Sequence, residues 1–395
     1  MTATVYRNLT VLEGDALRIR TNAALVIDGG RILEISDRRR GDGIDLRGAV
    51  AIPAFVDAHT HLADHGVKDA AIGRPTVEAV SPPTGLKYRY LAGLSDDELV
   101  ASLGMAIDEA LACGVVACGD FREGGADGVR ALRRASVGRP FRAIAYGDAT
   151  VLPTDGAYGQ QLSDVLDVAD GIGVGDIARF DNRRIAELER RFDRSGKRLA
   201  VHAAETVDAQ AACVERWGES EVVRILRANP DLLVHLTRPK PGDLDAIADR
   251  AVPVVCCART NAILADGLPP IAEMVDRAIP LSLGTDNMMF TGPDMFREMD
   301  WFSRLARGAG GRADAIDSAA VLRCATSGGA RALGLADELG TLAPGKAACF
   351  VVLDADSINL RGTRDLHAAL VHRAGVRDIV QVVAWGEDVP IGRER

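Results

Sequence analysis

Long apolar runs are missing from this sequence. None approaches the roughly 18 residues that a membrane span needs, so no membrane segment is expected. An apolar stretch behind a basic start is missing too: Met1–Asn8 leads into no such stretch, so a cytoplasmic chain without a secretory leader is expected. Cysteines are few and odd in number, seven, and no two are spaced as CxxC. Cys256 and Cys257 are adjacent, which in a strand points them to opposite faces. All seven read as free thiols of a reducing compartment, which argues against a disulfide framework or thiolate metal ligation. No basic stripe stands out and the net charge is −9, which argues against a nucleic-acid surface. Aromatic residues make up only 4% of the chain, so Ala, Val, Leu and Ile must do most of the packing.

What is present is ordinary globular material in quantity: 395 residues, 47% hydrophobic and 26% charged. That length suits a large barrel with a modest accessory domain. The two ends read as short strands with turns. Ala24–Asp28 and Arg31–Ile35 flank Gly29-Gly30 as a hairpin, and Ala348–Asp354 and Ile379–Trp385 are similar apolar runs. Between them strands alternate with helices, the pattern of a parallel sheet with crossover helices. Eight strands are expected: Ala51–Ala58, Val115–Asp120, Phe141–Gly147, Gly171–Gly175, Arg198–Ala203, Leu232–Leu236, Val252–Cys257 and Pro280–Gly284. Ser95-Asp-Asp-Glu98 reads as a capping box opening a helix that ends near Gly114, and Asp181 as the cap of a surface helix over 182–194. Eight strands with intervening helices over about 240 residues suit a (β/α)8 barrel, with an open doubly wound sheet as the alternative.

The seven histidines are placed informatively. His59, His61, His202 and His235 lie at or near the C-terminal ends of predicted strands, where a barrel carries its active site. In His59-Thr-His61 the two imidazoles lie at i and i+2, on one face of a strand. His202 is followed three residues later by Glu205, where the chain turns into a loop, and the eighth strand runs into Asp286. A histidine pair alone is a weak pattern, and a lone Asp at a strand end is more often a cap or a turn former. Four such positions, on the first, fifth, sixth and eighth strands, make chance placement a poor account.

On these residues the sequence resembles the amidohydrolase superfamily, in its cytosine deaminase-like, adenosylhomocysteine deaminase-like and chlorohydrolase-like branch. The carrying segments are Pro53–His61, His202–Thr206, His235 and Leu283–Asn287, followed by Ala325–Gly334 and Gly340–Lys346. The resemblance implies a barrel over residues 51–344 beside a composite β-sandwich built from residues 1–50 and 345–395. It implies one divalent metal held by His59, His61, His202 and Asp286, with zinc the first choice and iron or manganese compatible with the same donors. It implies catalytic roles for Glu205 as proton shuttle, His235 as the contact to the reacting water and Asp286 as acceptor of that water's proton. Two-metal members use a modified lysine at the end of the fourth strand. The lysines here are Lys68, Lys87, Lys197, Lys240 and Lys346, and none ends a middle barrel strand, which points to a single metal.

The branch implies hydrolytic deamination of an amino-substituted heterocycle such as a nucleobase, pterin or triazine. The alternatives are opening of a cyclic amide of the imidazolone type and a non-catalytic assembly protein on the same fold. Adenosine-type members usually carry a Leu-Arg-Gly stretch soon after the histidine pair. Here Leu62–Gly73 and Pro82–Tyr90 replace it, which argues against an adenosine-like substrate. Lys87, with Lys68 and Arg89, either meets an anionic or carbonyl-rich substrate or is a solvated surface charge. Arg259 and Asn261, just after the seventh strand, are expected to line the pocket or to brace its loops. The expected partner is a small heterocyclic molecule, in a homodimer or higher homo-oligomer.

Overall fold

The computed structural model describes residues 3–37, 42–150 and 158–391. Nine strand segments pair in parallel, in the order in which they follow one another along the chain. They are Phe55–His61, Val115–Arg122, Arg142–Asp148, Gly171–Val174, Arg198–Ala203, Leu232–His235, Val254–Cys256, Leu281–Leu283 and Asp286–Asn287. The last two are halves of one barrel strand. Leu281–Leu283 pairs with the seventh strand, while Asp286 and Asn287 pair with Thr60 and His61 of the first and so close the ring. The first two strands are buried along their whole length, as strands covered on both faces must be.

The break in the eighth strand has a steric reason. A Cβ on Gly284 would stand 2.8 Å from His59 Cβ and 3.0 Å from the His59 carbonyl, so only glycine lets the two strands approach this closely. Buried Asp57 then clamps the break, accepting from Thr285 N at 2.9 Å and Thr285 Oγ1 at 2.5 Å.

Strands from both ends of the chain form a second sheet, the composite β-sandwich that accompanies the barrel. Thr4–Glu13, Arg18–Asp28, Arg31–Asp37 and Val50–Pro53 join Phe350–Leu353, Ile379–Ala384 and Glu387–Val389, with Val50–Pro53 meeting Phe350–Leu353 across the two halves. The expected hairpin turns at Gly29-Gly30, with Asp28 opposite Arg31. One expectation needs correction: Ala51–Ala58 is not a single strand. Val50–Pro53 belongs to the sandwich sheet and Phe55–His61 to the barrel, and the chain passes between them at Ala54. An apolar run buried in two successive sheets carries no internal mark of that change.

The capping box is formed as Ser95 and Glu98 predict, opening the helix Asp96–Ala112, and Asp181 caps Asn182–Ser195. No helix among the described residues is long and apolar enough to cross a membrane.

Candidate metal centre

The C-terminal ends of four barrel strands bring their polar side chains to one point. His59 and His61 leave the first strand, His202 the fifth, His235 the sixth and Asp286 the eighth. His59 Nε2 lies 3.2 Å from His202 Nε2 and 3.2 Å from Asp286 Oδ1, and His61 Nε2 lies 3.5 Å from the same Oδ1. A tetrahedral ion bonded at about 2.0–2.1 Å sets its donors roughly 3.3 Å apart, so the separations are those of a metal cage.

His59, His202 and Asp286 have the protonation states a ligand needs, while at the His61 imidazole burial and the nearby Lys87 are outweighed by Glu123 and Asp286, which raise it. Burial pushes the His59 imidazole down to about 3 and His202 well below its ordinary value, leaving both as neutral donors. Burial alone would raise Asp286, but the hydrogen bond to His59 and the surrounding imidazoles outweigh it and hold the carboxylate ionised. These residues fit a divalent metal ion of the kind bound by nitrogen and oxygen donors. At the end of the fourth strand, where a second metal's lysine would stand, the chain has Gly175.

The backbone is bent to present these groups. Ala204, His235 and Asp286 have φ of 51°, 80° and 63°, in the left-handed region that non-glycine residues avoid. Each such residue costs on the order of 1–3 kcal/mol and persists only where its surroundings hold it, as the clamped Thr285 does for Asp286.

Glu205 faces the cluster from the loop after the fifth strand, its carboxylate 3.6 Å from His202 Nδ1 and 3.5 Å from His235 Nε2. Burial, then Asp286 and Asp266, raise its carboxyl well above the usual range. Behind His235, Asn261 Nδ2 lies 3.1 Å from Nδ1. An amide N–H donating there leaves the histidine's proton on Nε2, the nitrogen that faces Glu205.

Lys87 is no solvated surface charge. It is 2% exposed, with Nζ 2.7 Å from His61 Nδ1, 3.3 Å from Asp64 Oδ2 and bonded to Glu123. Lys68 instead pairs with Glu109 near the surface, and Arg89 bonds the Thr84 carbonyl. Lys87 also lines the cavity that opens over the cluster, about 150 Å³ in volume, together with His61, His202, Glu205 and Asp286. Arg259 and Asn261 are not among the lining residues. The Arg259 guanidinium turns to the carbonyls of Gly292 and Asp294, at 3.2 and 3.3 Å, and Asn261 sits behind His235. The helix Ala258–Leu264 begins right after the seventh strand and carries both side chains away from the opening.

Sequence reasoning passed over Phe121 and Glu123. Phe121 stacks on His202 at 4.7 Å and meets His59 edge-on at 4.6 Å, packing the imidazoles from below. Glu123 Oε1 lies 3.0 Å from His61 Nδ1. The signal was the spacing of Phe121 and Glu123, two residues apart at the end of an apolar strand, which turns both to one face.

Comparison with known proteins agrees with this geometry. The profile of the amidohydrolase family matches residues 50–389. A provisionally named aminohydrolase of Methanothermobacter thermautotrophicus is 33% identical over 98% of this chain and 99% of its own length. The 5-methylthioadenosine/S-adenosylhomocysteine deaminase of Halobacterium salinarum is 26% identical, over 99% of this chain and 92% of that one. Among solved structures, an adenosine deaminase from Xanthomonas campestris with bound zinc superposes with a TM-score of 0.86 at 22% identity, covering 98% of this chain and 92% of that one.

Proposed function

The chain belongs to the amidohydrolase family, and from that premise we propose that it is a hydrolase with one zinc ion that deaminates an amino-substituted heterocycle, releasing ammonia. The observation that carries this reading is Glu205. Its carboxyl stands at the cavity within 3.6 Å of both His202 and His235; it forms one close triad with them, while the triads His59–His61–His202 and His59–His235–Asp286 lie beside it without it. Attack on an aromatic C–NH2 carbon needs its ring nitrogen protonated, and a carboxyl held protonated at the cavity beside the donor cluster is placed to do this.

In this reading His59, His61, His202 and Asp286 hold the ion, which supplies Lewis-acid activation of water when bound. His235 keeps its proton on Nε2 through Asn261, so it donates to the attacking water's oxygen and does not act as a ligand. Asp286 takes the water's proton. Glu205 protonates the ring nitrogen, the proton taken by Asp286 passes to the amino group as the C–N bond breaks and ammonia leaves, and the remaining hydroxyl proton returns to Glu205 as C=O forms. Lys87 offers an N–H to a carbonyl or other acceptor on the substrate, from the His61 side of the cavity.

The test is a coupled ammonia assay on the zinc-loaded protein with cytosine, guanine, adenine, pterin and aminotriazines. Ammonia from one of them is expected. Glu205→Gln should keep its zinc and lose ~10²–10⁴-fold in kcat. A zinc-loaded protein that releases no ammonia from any of these while opening a cyclic amide would replace deamination with ring opening.

A further inference from the structure

His61 differs from its neighbours in what stands behind it. Its outward nitrogen, Nδ1, lies 3.0 Å from Glu123 Oε1 and 2.7 Å from Lys87 Nζ. Among the described residues His59 Nδ1 has no hydrogen-bond partner, and His202 Nδ1 has only Glu205 at 3.6 Å. A carboxylate can only accept and an ammonium can only donate, so one Nδ1 cannot serve both.

The two contacts therefore describe two arrangements of the same ring. With the proton on Nδ1, the imidazole donates to Glu123, and the lone pair of Nε2 faces the donor cluster. With Nδ1 bare, Lys87 donates to it, and the ring's proton sits on Nε2, directed at Asp286 3.5 Å away. Only the first arrangement leaves Nε2 free to ligate.

We propose that Glu123 is the positioning residue that turns His61 into a metal ligand, and that Lys87 competes with it for the same ring nitrogen. This rests on the metal-site reading above. Glu123 is itself braced for the task. Its other oxygen bonds Arg122, whose Nη1 reaches Asp120 Oδ2 at 3.1 Å, while Leu62 N donates to Asp120 Oδ1 at 2.7 Å. Lys87, when it gives up His61, keeps Glu123 and Asp64 and so loses no counter-charge. A carboxylate behind a ligating histidine fixes its tautomer and ring orientation, and its loss weakens metal binding by roughly 10–100-fold.

The experiment measures zinc affinity by competition with a chromophoric chelator on the full-length wild type, Glu123→Gln and Lys87→Met. It adds the ¹⁵N spectrum of histidine-labelled wild type, with His61 identified by its loss in His61→Asn. Expected are a tenfold or greater weakening in Glu123→Gln, no weakening in Lys87→Met, and a His61 tautomer with the proton on Nδ1 in the zinc-loaded protein. Unchanged affinity in Glu123→Gln, or a His61 proton on Nε2 with zinc bound, would overturn this proposal alone. Wild type that takes up no zinc would overturn the metal reading and this proposal together. The tautomer is read on the wild type, so it stands even where Lys87→Met, which leaves Asp64 without its cation, does not fold.

Discussion

The two sides of the donor cluster are built differently. On the side of the first and second strands, His61, Asp64, Lys87, Asp120, Arg122 and Glu123 are all buried and joined by charged hydrogen bonds and the Lys87–Asp64 ion pair. On the side of the fifth and sixth strands, Glu205 stands 3.6 Å from His202 and 3.5 Å from His235, with Asn261 3.1 Å behind His235 and His59 3.2 Å from His202. A braced side resists displacement, because its charges are paired with one another. A sparse side leaves groups whose protons can move. The difference reads as a division between holding the ion and moving protons.

The comparison can be broken most severely at His202, which belongs to both sides. His202→Ala should reduce zinc from about one ion per chain to near none, with activity falling to background, read by elemental analysis beside the ammonia assay. An unchanged stoichiometry would remove His202 from the ligand set.

A smaller effect is expected at Asn261. Asn261→Ala frees the His235 tautomer but touches no proposed ligand, so zinc content should hold while kcat falls by roughly tenfold, the value of one lost hydrogen bond of about 1.4 kcal/mol. Loss of zinc in this variant would mean that His235 is itself a ligand.

The smallest effect sharpens the charged side. Just beyond it, in the loop after the first strand, His65 Nε2 lies 2.9 Å from Glu109, which also bonds Lys68. The hydrogen bond from His65, then Lys68, lowers the Glu109 carboxyl to about 2 against partial burial. A carboxylate whose folded value lies below its unfolded one stabilises the fold above the unfolded value of about 4.5, and that contribution disappears as pH falls toward 2. Because Glu109 is partly exposed, its worth is on the order of 1 kcal/mol. Denaturant melts of Glu109→Gln and wild type should differ by that amount at pH 7 and converge near pH 2. A gap that persists in acid would mean that packing, not charge, is what the substitution removes.

Much of the site was legible before the fold was known, because strand ends are legible. Alternating faces put His59 and His61 together, and apolar runs ending in His202, His235 and Asp286 marked one rim of a barrel. Lys87 was not legible as a buried charge. It lies on a short helix, Leu86–Ala92, in a long excursion whose composition looks like surface, and its two carboxylates come from the loop after the first strand and the end of the second. Arg259 misled for the opposite reason: it is near the rim in sequence, but from the helix that starts at Ala258 its side chain turns to the carbonyls of Gly292 and Asp294 and stays largely buried.

By itself, then, the sequence determined the barrel and the family and marked the polar side chains on one rim, since each is written in residue types at a strand's end or in a repeating apolar pattern. Only the tertiary structure decided which groups stand behind the donors. Burial raises or lowers a charge according to neighbours that meet only when distant segments close on one another, and that closure at Gly284, Asp57 and Thr285 has no local signature in the chain.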